Sequence, residues 1–490
     1  MEKRPTVLKE LKESGCKVLP VKEEIRKNVI FKLKHKEKLF PGIVGYEKTV
    51  VPQLVNALLA KHDFILLGLR GQAKTRILRQ LSNFLDDFLP VVDGCPVNDN
   101  PLAPFCARCR RLVHEMGDKL PIAWMPRETR FQEKLATPDV SIADLIGDID
   151  PIKAAREKLD FSSEEVIHYG IIPRTNRGIF AINELPDLPP RIQVGLLNIL
   201  EEKDFQIKGF PVRMPLDILV VFSANPEDYT NRGNIITPLK DRIDSQIMTH
   251  YPSSVEDAQK ITEQEAWLER GAKLELPEFY KATIEQIAFA ARKSEFVDQS
   301  SGVSARLSIS ALENVVSNIE RRALKTGGKK LFPRICDLYA ALPSITGKIE
   351  LVYEGEAEGT GAIAANLVGR AVKEIFLAYF PPPRKPKQTL EEEDYTYSEV
   401  LSYFSNRHQI EISDESPFEE YAASLHKVKG LKKLTAAHFQ TSSPEEEALV
   451  MELTLEGLHQ HNLIAKEHLE KTFRYSDVLA TMLKDMEEAD

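Results

Sequence analysis

The chain has 490 residues, of which 42% are hydrophobic and 28% are charged. This composition is typical of soluble globular proteins and argues against wholesale disorder. The length exceeds one compact core, since a prior of about one domain per 150 residues suggests about three domains. The formal net charge of −9 provides no overall attraction to nucleic acid, although a locally basic surface is compatible with it.

Signals for export or membrane insertion do not occur in the sequence. Residues 1–10 are charged and lack the apolar segment of a secretory signal. Uninterrupted apolar runs have strand length and fall short of the roughly 18 residues that a membrane helix needs. We therefore expect a soluble, cytoplasmic protein without membrane contact. The five cysteines are an odd number in a long chain, which favours reduced thiols or a metal over a disulfide framework.

The first half of the chain predicts an α/β domain. Residues 1–38 are rich in lysine and glutamate and are interpreted as a helical or partly ordered arm. Within residues 39–251, short apolar runs alternate with amphipathic stretches, which predicts a parallel sheet covered by helices. The strand candidates of this domain are residues 64–67, 122–124, 178–182 and 218–222.

The second half predicts mainly helices. Residues 252–345 show helical periodicity and are interpreted as a helical lid domain. Residues 346–380 predict a helical extension, and residues 381–394 begin with P-P-P-R-K-P-K, which is typical of a semi-rigid linker. Residues 395–490 are interpreted as a C-terminal helical domain.

The strongest single motif is G-L-R-G-Q-A-K-T at residues 68–75, between a strand candidate and a helix-like stretch. A loop in that position directs backbone N–H groups at a phosphate, and the helix dipole adds partial positive charge. Lys74 is predicted to reach the β- and γ-phosphates, and the Thr75 hydroxyl to bind Mg²⁺. The general P-loop pattern has glycine where this chain has Ala73.

Two later strand candidates deliver polar side chains to their ends. Asn183 and Glu184 follow residues 178–182, and Asn225 follows residues 218–222. In open α/β sheets, ligands bind at the carboxyl ends of the strands. Glu184 is predicted to orient and deprotonate the water that attacks the γ-phosphate, and Asn225 to bind that phosphate or its water. A surface carboxylate after a buried strand is the alternative interpretation of Glu184.

Two arginines continue the pattern. Arg242 lies in P-L-K-D-R-I-D and is interpreted as a residue that acts on a neighbouring subunit's nucleotide. Arg306 lies in S-A-R, opens a helix of the predicted lid and offers a second cation. Either arginine alone is more typical of a solvated surface charge. Their order after the P-loop and the two polar strand ends is what favours function.

This motif order resembles that of AAA+ ATPases, and in detail that of the MoxR and magnesium-chelatase ATPase-subunit branch, over residues 39–345. P-loops of MoxR type have alanine at the position of Ala73. The resemblance implies a P-loop AAA+ parallel sheet with a helical lid, to which this chain adds a C-terminal helical region. It also implies that Asn225 is sensor 1, Arg242 the arginine finger and Arg306 sensor 2, with Arg177 a weaker interface candidate.

Other segments support the same resemblance. Residues 143–150 and 169–178 resemble the flanks of the branch's helix-2 insertion, and residues 205–214 its pre-sensor β-hairpin. Ile43 and Val44, in L-F-P-G-I-V-G-Y-E, resemble walls of the adenine pocket. ATP and Mg²⁺ are the implied cofactors. The remaining nucleotide-binding residues implied by the P-loop are Gly68, Arg70, Gly71, Gln72, Ala73, Lys74, Thr75 and Arg76.

Asn183 departs from the family pattern, which has an aspartate that holds Mg²⁺ through a water. Asparagine keeps an acceptor oxygen and loses the negative charge, so weaker Mg²⁺ binding is expected. Two outcomes are open: slow hydrolysis or a nucleotide-dependent switch. We favour slow hydrolysis because the four other predicted catalytic residues are retained, namely Glu184, Asn225, Arg242 and Arg306.

The resemblance implies a ring motor that remodels a protein client, with hexamers as the usual assembly and a von Willebrand A domain protein as partner. Metalloenzyme maturation or metal insertion is included, whereas magnesium chelation for chlorophyll is disfavoured by the extended C-terminal block. A σ54-type regulator requires a G-A-F-T-G-A loop, which the sequence lacks. A nucleic-acid helicase is disfavoured by the acidic charge. A non-hydrolysing scaffold stays open because of Asn183.

A cysteine-rich stretch follows the P-loop helix. Cys106 and Cys109 have the C-x-x-C spacing that lets two thiolates bind one tetrahedral ion. Cys95 and His114 are predicted to complete a Cys₃His zinc site. The alternative is that these cysteines are small buried hydrophobic residues and that His114 lies on a helix surface.

Overall fold

The computed structural model describes residues 4–157, 164–207, 213–226, 234–328, 330–383, 396–469 and 472–478. The chain divides between His250 and Tyr251 into two compact units. The first unit has two hydrophobic clusters and the second has one. Among the described residues, none of the helices combines the length and the apolar character that a membrane crossing needs.

The first unit is built around a parallel sheet. Its strands are β1 (Phe64–Leu67), β2 (Phe88–Val92), β3 (Ile122–Pro126), β4 (Phe131–Leu135), β5 (Gly147–Ile149), β6 (Ile167–Tyr169), β7 (Gly178–Asn183), β8 (Asp204–Phe205), β9 (Met214–Pro215), β10 (Ile218–Ala224) and β11 (Ser245–Met248). Five of them form the sheet, in the order β11-β1-β10-β7-β4, and each neighbouring pair is parallel. The predicted α/β fold class is confirmed.

Helices cover this sheet. They are α1 (Leu8–Glu13), α2 (Val21–Lys34), α3 (Val50–Leu59), α4 (Lys74–Gln80), α5 (Ala107–Met116), α6 (Ile142–Leu145), α7 (Pro151–Glu157), α8 (Ile171–Arg174), α9 (Pro190–Gly195), α10 (Leu197–Glu201) and α11 (Thr237–Arg242). Short 3₁₀ turns, such as Leu81–Phe84 after α4, connect some of them.

The central strands are buried along their whole length, which is why they read as continuous apolar runs. Every residue of β1, β7 and β10 is buried. The side chains of β1 alternate between the two clusters, because successive residues of a strand point to opposite faces. Phe64 and Leu66 join one cluster, and Ile65 and Leu67 the other. Helices on both faces therefore complete two separate cores.

The predicted strands agree with the sheet in three of four cases. Residues 64–67, 178–182 and 218–222 lie in β1, β7 and β10, but the assignment of residues 122–124 to the parallel sheet is wrong. They lie in β3, which pairs with β2 in a separate antiparallel ribbon. The sheet's edge strands β4 and β11 were not predicted. Both carry exposed or half-exposed residues, so they lack the apolar run that marks a central strand.

The N-terminal arm is part of the first unit's core. Leu8 and Leu11 of α1 are buried in one cluster, and Val21, Ile25 and Val29 of α2 in the other. Val7 also forms an antiparallel bridge with Pro121. The described part of the predicted arm is therefore helical and packed.

The predicted hairpin at residues 205–214 is confirmed. Strands β8 and β9 pair antiparallel, with Phe205 opposite Met214. Residues 208–212 of that segment lie outside the described residues. Of the predicted insertion flanks, the first contains β5 and the second begins at the last residue of β6, and these two strands also pair antiparallel.

The second unit is mainly helical. Its helices are α12 (Val255–Glu265), α13 (Glu278–Lys293), α14 (Arg306–Thr326), α15 (Leu342–Thr346), α16 (Tyr353–Glu358), α17 (Thr360–Tyr379), α18 (Ser398–Ser405), α19 (Phe418–His426), α20 (Leu431–His438) and α21 (Pro444–Gln460). Its strands are β12 (Lys273–Leu274), β13 (Lys330–Leu331), β14 (Ile410–Ser413), β15 (Ala465–His468) and β16 (Thr472–Ser476).

One hydrophobic cluster runs through this second unit from Phe279 to Tyr475. It includes buried residues of the predicted lid, extension and C-terminal segments, so their described parts share one core. The C-terminal segment also contains a three-stranded antiparallel sheet, in the order β14-β16-β15, beside its helices. The sequence predicts a C-terminal helical domain over residues 395–490, and the described part of it holds this sheet in addition to its helices. The finer segment boundaries, including the linker at residues 381–394, stay predictions.

Candidate nucleotide site

The P-loop occupies the turn between β1 and α4, as the sequence predicts. Its backbone is tightly curved: Gly71 and Ala73 both have positive φ, 74° and 57°. Alanine rarely adopts this left-handed conformation, which costs about 1–2 kcal/mol for a residue with a Cβ. The structure therefore shows why most P-loops carry glycine at the position of Ala73, and that alanine follows the same path here.

A side chain at Gly68 would displace two neighbouring side chains. A Cβ built there would lie 1.9 Å from Thr249 Oγ1 and 2.1 Å from Gln72 Oε1. Those two side chains are themselves joined, because the Thr249 hydroxyl donates to Gln72 Oε1 over 2.7 Å. Thr249, directly after β11, thus contacts the start of the P-loop and restricts its backbone conformation.

Lys74 connects the P-loop with the predicted sensor. The ammonium donates to the carbonyls of Gly68 and Leu69, the latter at 3.1 Å, and to Asn225 Oδ1 at 2.6 Å. Its side chain is only 7% exposed. Strands β1 and β10 are neighbours in the sheet, which is why residues 151 positions apart meet at its carboxyl edge. These oxygens are the ones that a bound phosphate would replace or join.

Asn183 and Glu184 lie at the same edge, one strand further along. Asn183 is buried and its Oδ1 accepts a hydrogen bond from the Ser223 hydroxyl over 3.1 Å. The Glu184 N–H donates to the same hydroxyl over 3.3 Å. Glu184 is half-buried and has φ of 56°. The Ser223 hydroxyl thus fixes both predicted residues from the neighbouring strand β10.

The remaining P-loop residues divide by exposure. Thr75 is half-buried in the first turn of α4, whereas Gly71, Ala73 and Arg76 are exposed. Gln72 is buried, and its carbonyl accepts from the Tyr46 hydroxyl over 3.1 Å. Arg70 is half-buried.

The predicted adenine-side residues lie in a loop before α3. Ile43 is 4% exposed and belongs to the cluster that contains Ile77 of α4, and Val44 is half-buried. The hydroxyl of nearby Tyr46 donates to Gln72 O and to His250 O, at 3.1 and 2.6 Å. Tyr46 therefore ties this loop to the P-loop.

The arginines have different surroundings. Arg242 ends α11, where its Nε donates to Glu201 Oε2 over 2.5 Å and its Nη1 to Pro238 O over 3.0 Å. Arg306 begins α14 in the second unit, where its N–H donates to Ser304 Oγ over 3.2 Å. The roles of both as finger and sensor stay predictions.

Arg177 is not an interface residue in this structure, and that expectation is corrected. It is 4% exposed, and its Nη1 donates to Pro90 O over 2.8 Å. Burial, followed by the nearby Arg130, lowers the pKa of Arg177 to about 10. The guanidinium is therefore buried inside the first unit.

The predicted zinc ligands are only partly brought together. Cys95, Cys106 and Cys109 converge, but His114 does not join them and is exposed on α5. The fourth group of the cluster is the buried carboxylate of Asp99. His114 is displaced because it lies two turns along α5 from Cys106, the residue that caps this helix.

Three supporting residues were missed by the sequence reasoning. They are Thr249 beside Gly68, Ser223 between Asn183 and Glu184, and Glu201 on Arg242. Ser223 stands in S-A-N-P directly before Asn225, so its strand-end position was an available signal. The other two contacts join distant parts of the chain and carry no local signature.

Fold and site together define a P-loop nucleotide-binding protein whose polar residues gather at the carboxyl edge of a parallel sheet. Residues 157–246 match the family model described as the Sigma-54 interaction domain. The chain is similar to a magnesium-chelatase subunit ChlI homolog of Methanocaldococcus jannaschii, 26% identical over 234 residues. That match covers 46% of this chain and 59% of the relative's length.

Solved structures are also similar to this chain. One is the complex between subunits BchI and BchD of magnesium chelatase, based on a cryo-EM reconstruction, at 18% identity, covering 65% of this chain and 98% of that one, with a TM-score of 0.33. Another is a RuvB mutant of Thermotoga maritima, at 12% identity, covering 69% and 80% respectively, with a TM-score of 0.35. By sequence, the chain is thus similar over about half of its length to a magnesium-chelatase subunit homolog.

Proposed function

We propose that this protein hydrolyses ATP and works as an AAA+ ring motor that remodels a protein partner. The observation that carries the proposal is the direct contact of Lys74 with Asn225 at one edge of the sheet. Glu184 lies at the end of the next strand and is fixed from Ser223. A phosphate-binding cation, a γ-phosphate sensor and a base are thus supplied by three adjacent strands.

The residues present fit ATP. The curved loop and the glycine at position 68, where a Cβ would collide with Thr249, allow backbone N–H groups to approach phosphate. Lys74 would bind the phosphates, and Thr75 the Mg²⁺ ion. The bound nucleotide supplies the phosphoanhydride bond that is cleaved. Glu184 accepts the proton of the attacking water, and Asn225 orients that water or the γ-phosphate.

Asn183 is proposed to support a weaker magnesium site. Its amide oxygen accepts from Ser223 over 3.1 Å, and the amide contributes no charge to the ion. Slow hydrolysis is the outcome we favour over a non-hydrolysing switch. Phosphate release from the purified full-length chain at saturating Mg²⁺ tests this choice, since a pure switch binds ATP without turnover.

A ring is proposed from the role of Arg242. In the single chain, Glu201 holds its guanidinium, and action on a neighbour's nucleotide requires release from that carboxylate. Native mass measurement with ATP is expected to give a closed oligomer, a hexamer by family resemblance. Arg242→Ala is expected to lose turnover and keep ATP binding, whereas the exposed Arg191→Ala is the matched control. A monomer at all concentrations with ATP would contradict the ring.

The in-trans role has its own test. Mixing Arg242→Ala subunits with Glu184→Gln subunits pairs an intact base with an intact arginine from its neighbour. We expect turnover to reappear in the mixture when neither variant alone is active. If it does not, Arg242 does not act across an interface.

The partner is proposed to be a von Willebrand A domain protein, with the client a metalloenzyme or another protein. This class of partner follows from the resemblance of the motif order to the MoxR and magnesium-chelatase branch. Co-purification with ATP bound and with ADP bound, followed by mass spectrometry, tests it. A nucleotide-dependent partner that lacks such a domain would reject this part of the proposal and leave ATP hydrolysis intact.

Regulation of σ54-dependent transcription is the second candidate, because residues 157–246 match the Sigma-54 interaction domain. The sequence lacks the G-A-F-T-G-A loop by which such regulators are expected to make contact. The matched range includes Asn183, Glu184, Asn225 and Arg242, to which this proposal assigns ATP hydrolysis. If the purified protein bound σ54 in the presence of a transition-state analogue of ATP hydrolysis, σ54-dependent regulation would become the preferred function.

A further inference from the structure

A cluster of three thiols and one carboxylate lies away from the nucleotide site, in the loop between β2 and α5. The ligand atoms of Cys95, Asp99, Cys106 and Cys109 all lie within 4.8 Å of one another. Cys106 and Cys109 are 3% and 0% exposed, and Asp99 is 0% exposed. All three cysteines are free of disulfide bonds.

The spacing of the sulfurs suits a shared ion. Zinc binds thiolate at about 2.3 Å, so two sulfurs of a regular tetrahedral site lie about 3.8 Å apart. The Sγ atoms of Cys95 and Cys106 are 4.0 Å apart. Small adjustments within this loop would therefore place both sulfurs at ligand distance.

Backbone groups already support the sulfurs in the manner of a thiolate site. The Asp99 N–H donates to Cys95 Sγ over 3.4 Å, and the Cys109 N–H donates to Cys106 Sγ over 3.3 Å. Such hydrogen bonds to ligand atoms orient them and stabilise their negative charge. The bond to Cys106 Sγ also caps the first turn of α5.

Asp99 has a second role besides that of a fourth ligand. Its carboxylate accepts from the N–H groups of Asn100, Phe105 and Cys106, at 2.9 to 3.1 Å. These bonds curl residues 99–106 so that Cys106 returns towards Cys95. The carboxylate thereby shapes the loop, and one of its oxygens lies within 4.8 Å of the three sulfurs.

The loop between β2 and α5 is long for a segment without regular secondary structure. Residues 93–106 contain neither helix nor strand, and structureless loops of more than about 12–15 residues are uncommon inside compact domains unless functional. Three prolines and three further residues with amide or carboxylate side chains, Asn98, Asp99 and Asn100, occur between residues 95 and 104. An ion bound to both ends of this loop would hold it closed.

We propose that Cys95, Cys106, Cys109 and Asp99 bind one structural Zn²⁺ ion. The chemistry of the donor set favours zinc, because soft thiolates with one carboxylate at tetrahedral spacing suit that ion better than Mg²⁺ or Ca²⁺. The ion replaces thiol protons, which are released to solvent on binding.

The position of the loop indicates what the ion stabilises. Asn98 Nδ2 donates to Arg174 O over 2.6 Å, and Asn176 Nδ2 donates to Val97 O over 2.9 Å. Asn176 Oδ1 in turn accepts from the Asp217 N–H over 2.9 Å. The loop is therefore bonded to the residues directly before β7 and, through Asn176, to those before β10. These are the strands that lead to Asn183 and Asn225.

Metal content of the full-length protein, purified under reducing conditions, is the primary test. We expect one zinc per chain, retained in Cys16→Ser and His114→Ala and lost in Cys95→Ser and Cys109→Ser. A protein without zinc, and unable to bind added zinc after reduction, would overturn the proposal. Loss of zinc in His114→Ala with retention in Asp99→Asn would restore histidine as the fourth ligand and reject Asp99.

A second measurement does not depend on the folding of variants. Cobalt exchanged into the unsubstituted protein is expected to give thiolate charge-transfer absorption and the visible bands of tetrahedral Co²⁺. Removal of the metal by a chelator is expected to speed amide hydrogen exchange in residues 174–183 and 217–224 more than in residues 64–67. An equal increase in exchange rate in all three segments would show that the ion does not stabilise the starts of β7 and β10. A cobalt spectrum typical of octahedral coordination would reject the thiolate site.

Discussion

The two edges of the parallel sheet carry polar residues of similar kinds and use them differently. At the amino edge, a charged residue directly precedes each of the five strands. They are Asp63, Arg130, Arg177, Asp217 and Asp244. At the carboxyl edge, the P-loop, Glu184 and Asn225 follow strands directly. The amino edge of the sheet thus carries charged residues, and the carboxyl edge carries the residues that are predicted to bind the nucleotide.

At the amino edge, charged side chains bind partners within the same unit. Arg130 makes two hydrogen bonds to Glu24, at 2.7 and 2.6 Å, and both side chains are buried. Asp63 accepts from Val220 N–H and pairs with Lys22 and Lys203, at 2.8 and 2.7 Å. These contacts connect α2 with the strand starts. These charges are compensated by partners inside the first unit.

At the carboxyl edge, a bound phosphate could replace the hydrogen-bond partners of Lys74. Lys74 is held by two loop carbonyls and by Asn225, all groups that a phosphate can displace. Burial alone therefore does not identify a functional site, because Lys74 and Arg130 are both buried. What distinguishes them is whether the partner is a fixed opposite charge.

The largest expected effect is on turnover. Glu184→Gln removes the general base and is expected to lower the hydrolysis rate about 10²- to 10⁴-fold. ATP binding should persist because the shape of the side chain is kept. Phosphate release and calorimetric ATP binding measure the two. Asp187→Asn, three residues further on, is the control, and hydrolysis by Glu184→Gln at the normal rate would refute the assignment.

At the opposite edge, Glu24→Gln is expected to act on stability. It leaves Arg130 buried without its countercharge, which costs about 3–5 kcal/mol when one partner of a buried pair is removed. Urea denaturation of the first unit's transition measures the change. Glu23→Gln removes only the exposed pair with Lys61, and such pairs contribute about 0–1 kcal/mol. Equal effects of the two variants would contradict the distinction between buried and surface pairs.

Asn183→Asp tests the charge at the carboxyl edge. The aspartate restores a negative group near the expected ion, so activity should stay equal or rise, chiefly at low Mg²⁺. A Mg²⁺ titration of the ATPase rate measures this shift, with Asn198→Asp on α10 as a control for added charge. A higher Mg²⁺ requirement in Asn183→Asp would contradict the proposed role.

The smallest effect is expected at Ala73. Ala73→Gly relieves the left-handed backbone at φ 57° and should stabilise the first unit by about 1 kcal/mol. Ala57→Gly in the middle of α3 should instead destabilise it by at least about 0.5 kcal/mol. Thermal unfolding compares the two variants. Destabilisation by both would show that the loop gains nothing from glycine.

Much of the carboxyl edge of the sheet could be predicted from local sequence patterns. The apolar runs of β1, β7 and β10 are buried on both faces, so they were visible in the sequence and their polar ends could be located. The edge strands β4 and β11 and the C-terminal sheet were missed, because half-exposed strands mix polar and apolar residues. Their pairing depends on partners far away in the chain.

The sequence by itself determined the P-loop, the polar strand ends and the α/β class, since each is written within one strand and its following turn. Only the tertiary structure decided which distant residues complete a cluster. Asp99 rather than His114 joins the cysteines, and Arg177 is buried rather than exposed. The physical reason is that ligand sets and buried charges are selected by the path of the folded chain, which spacing along the sequence does not fix.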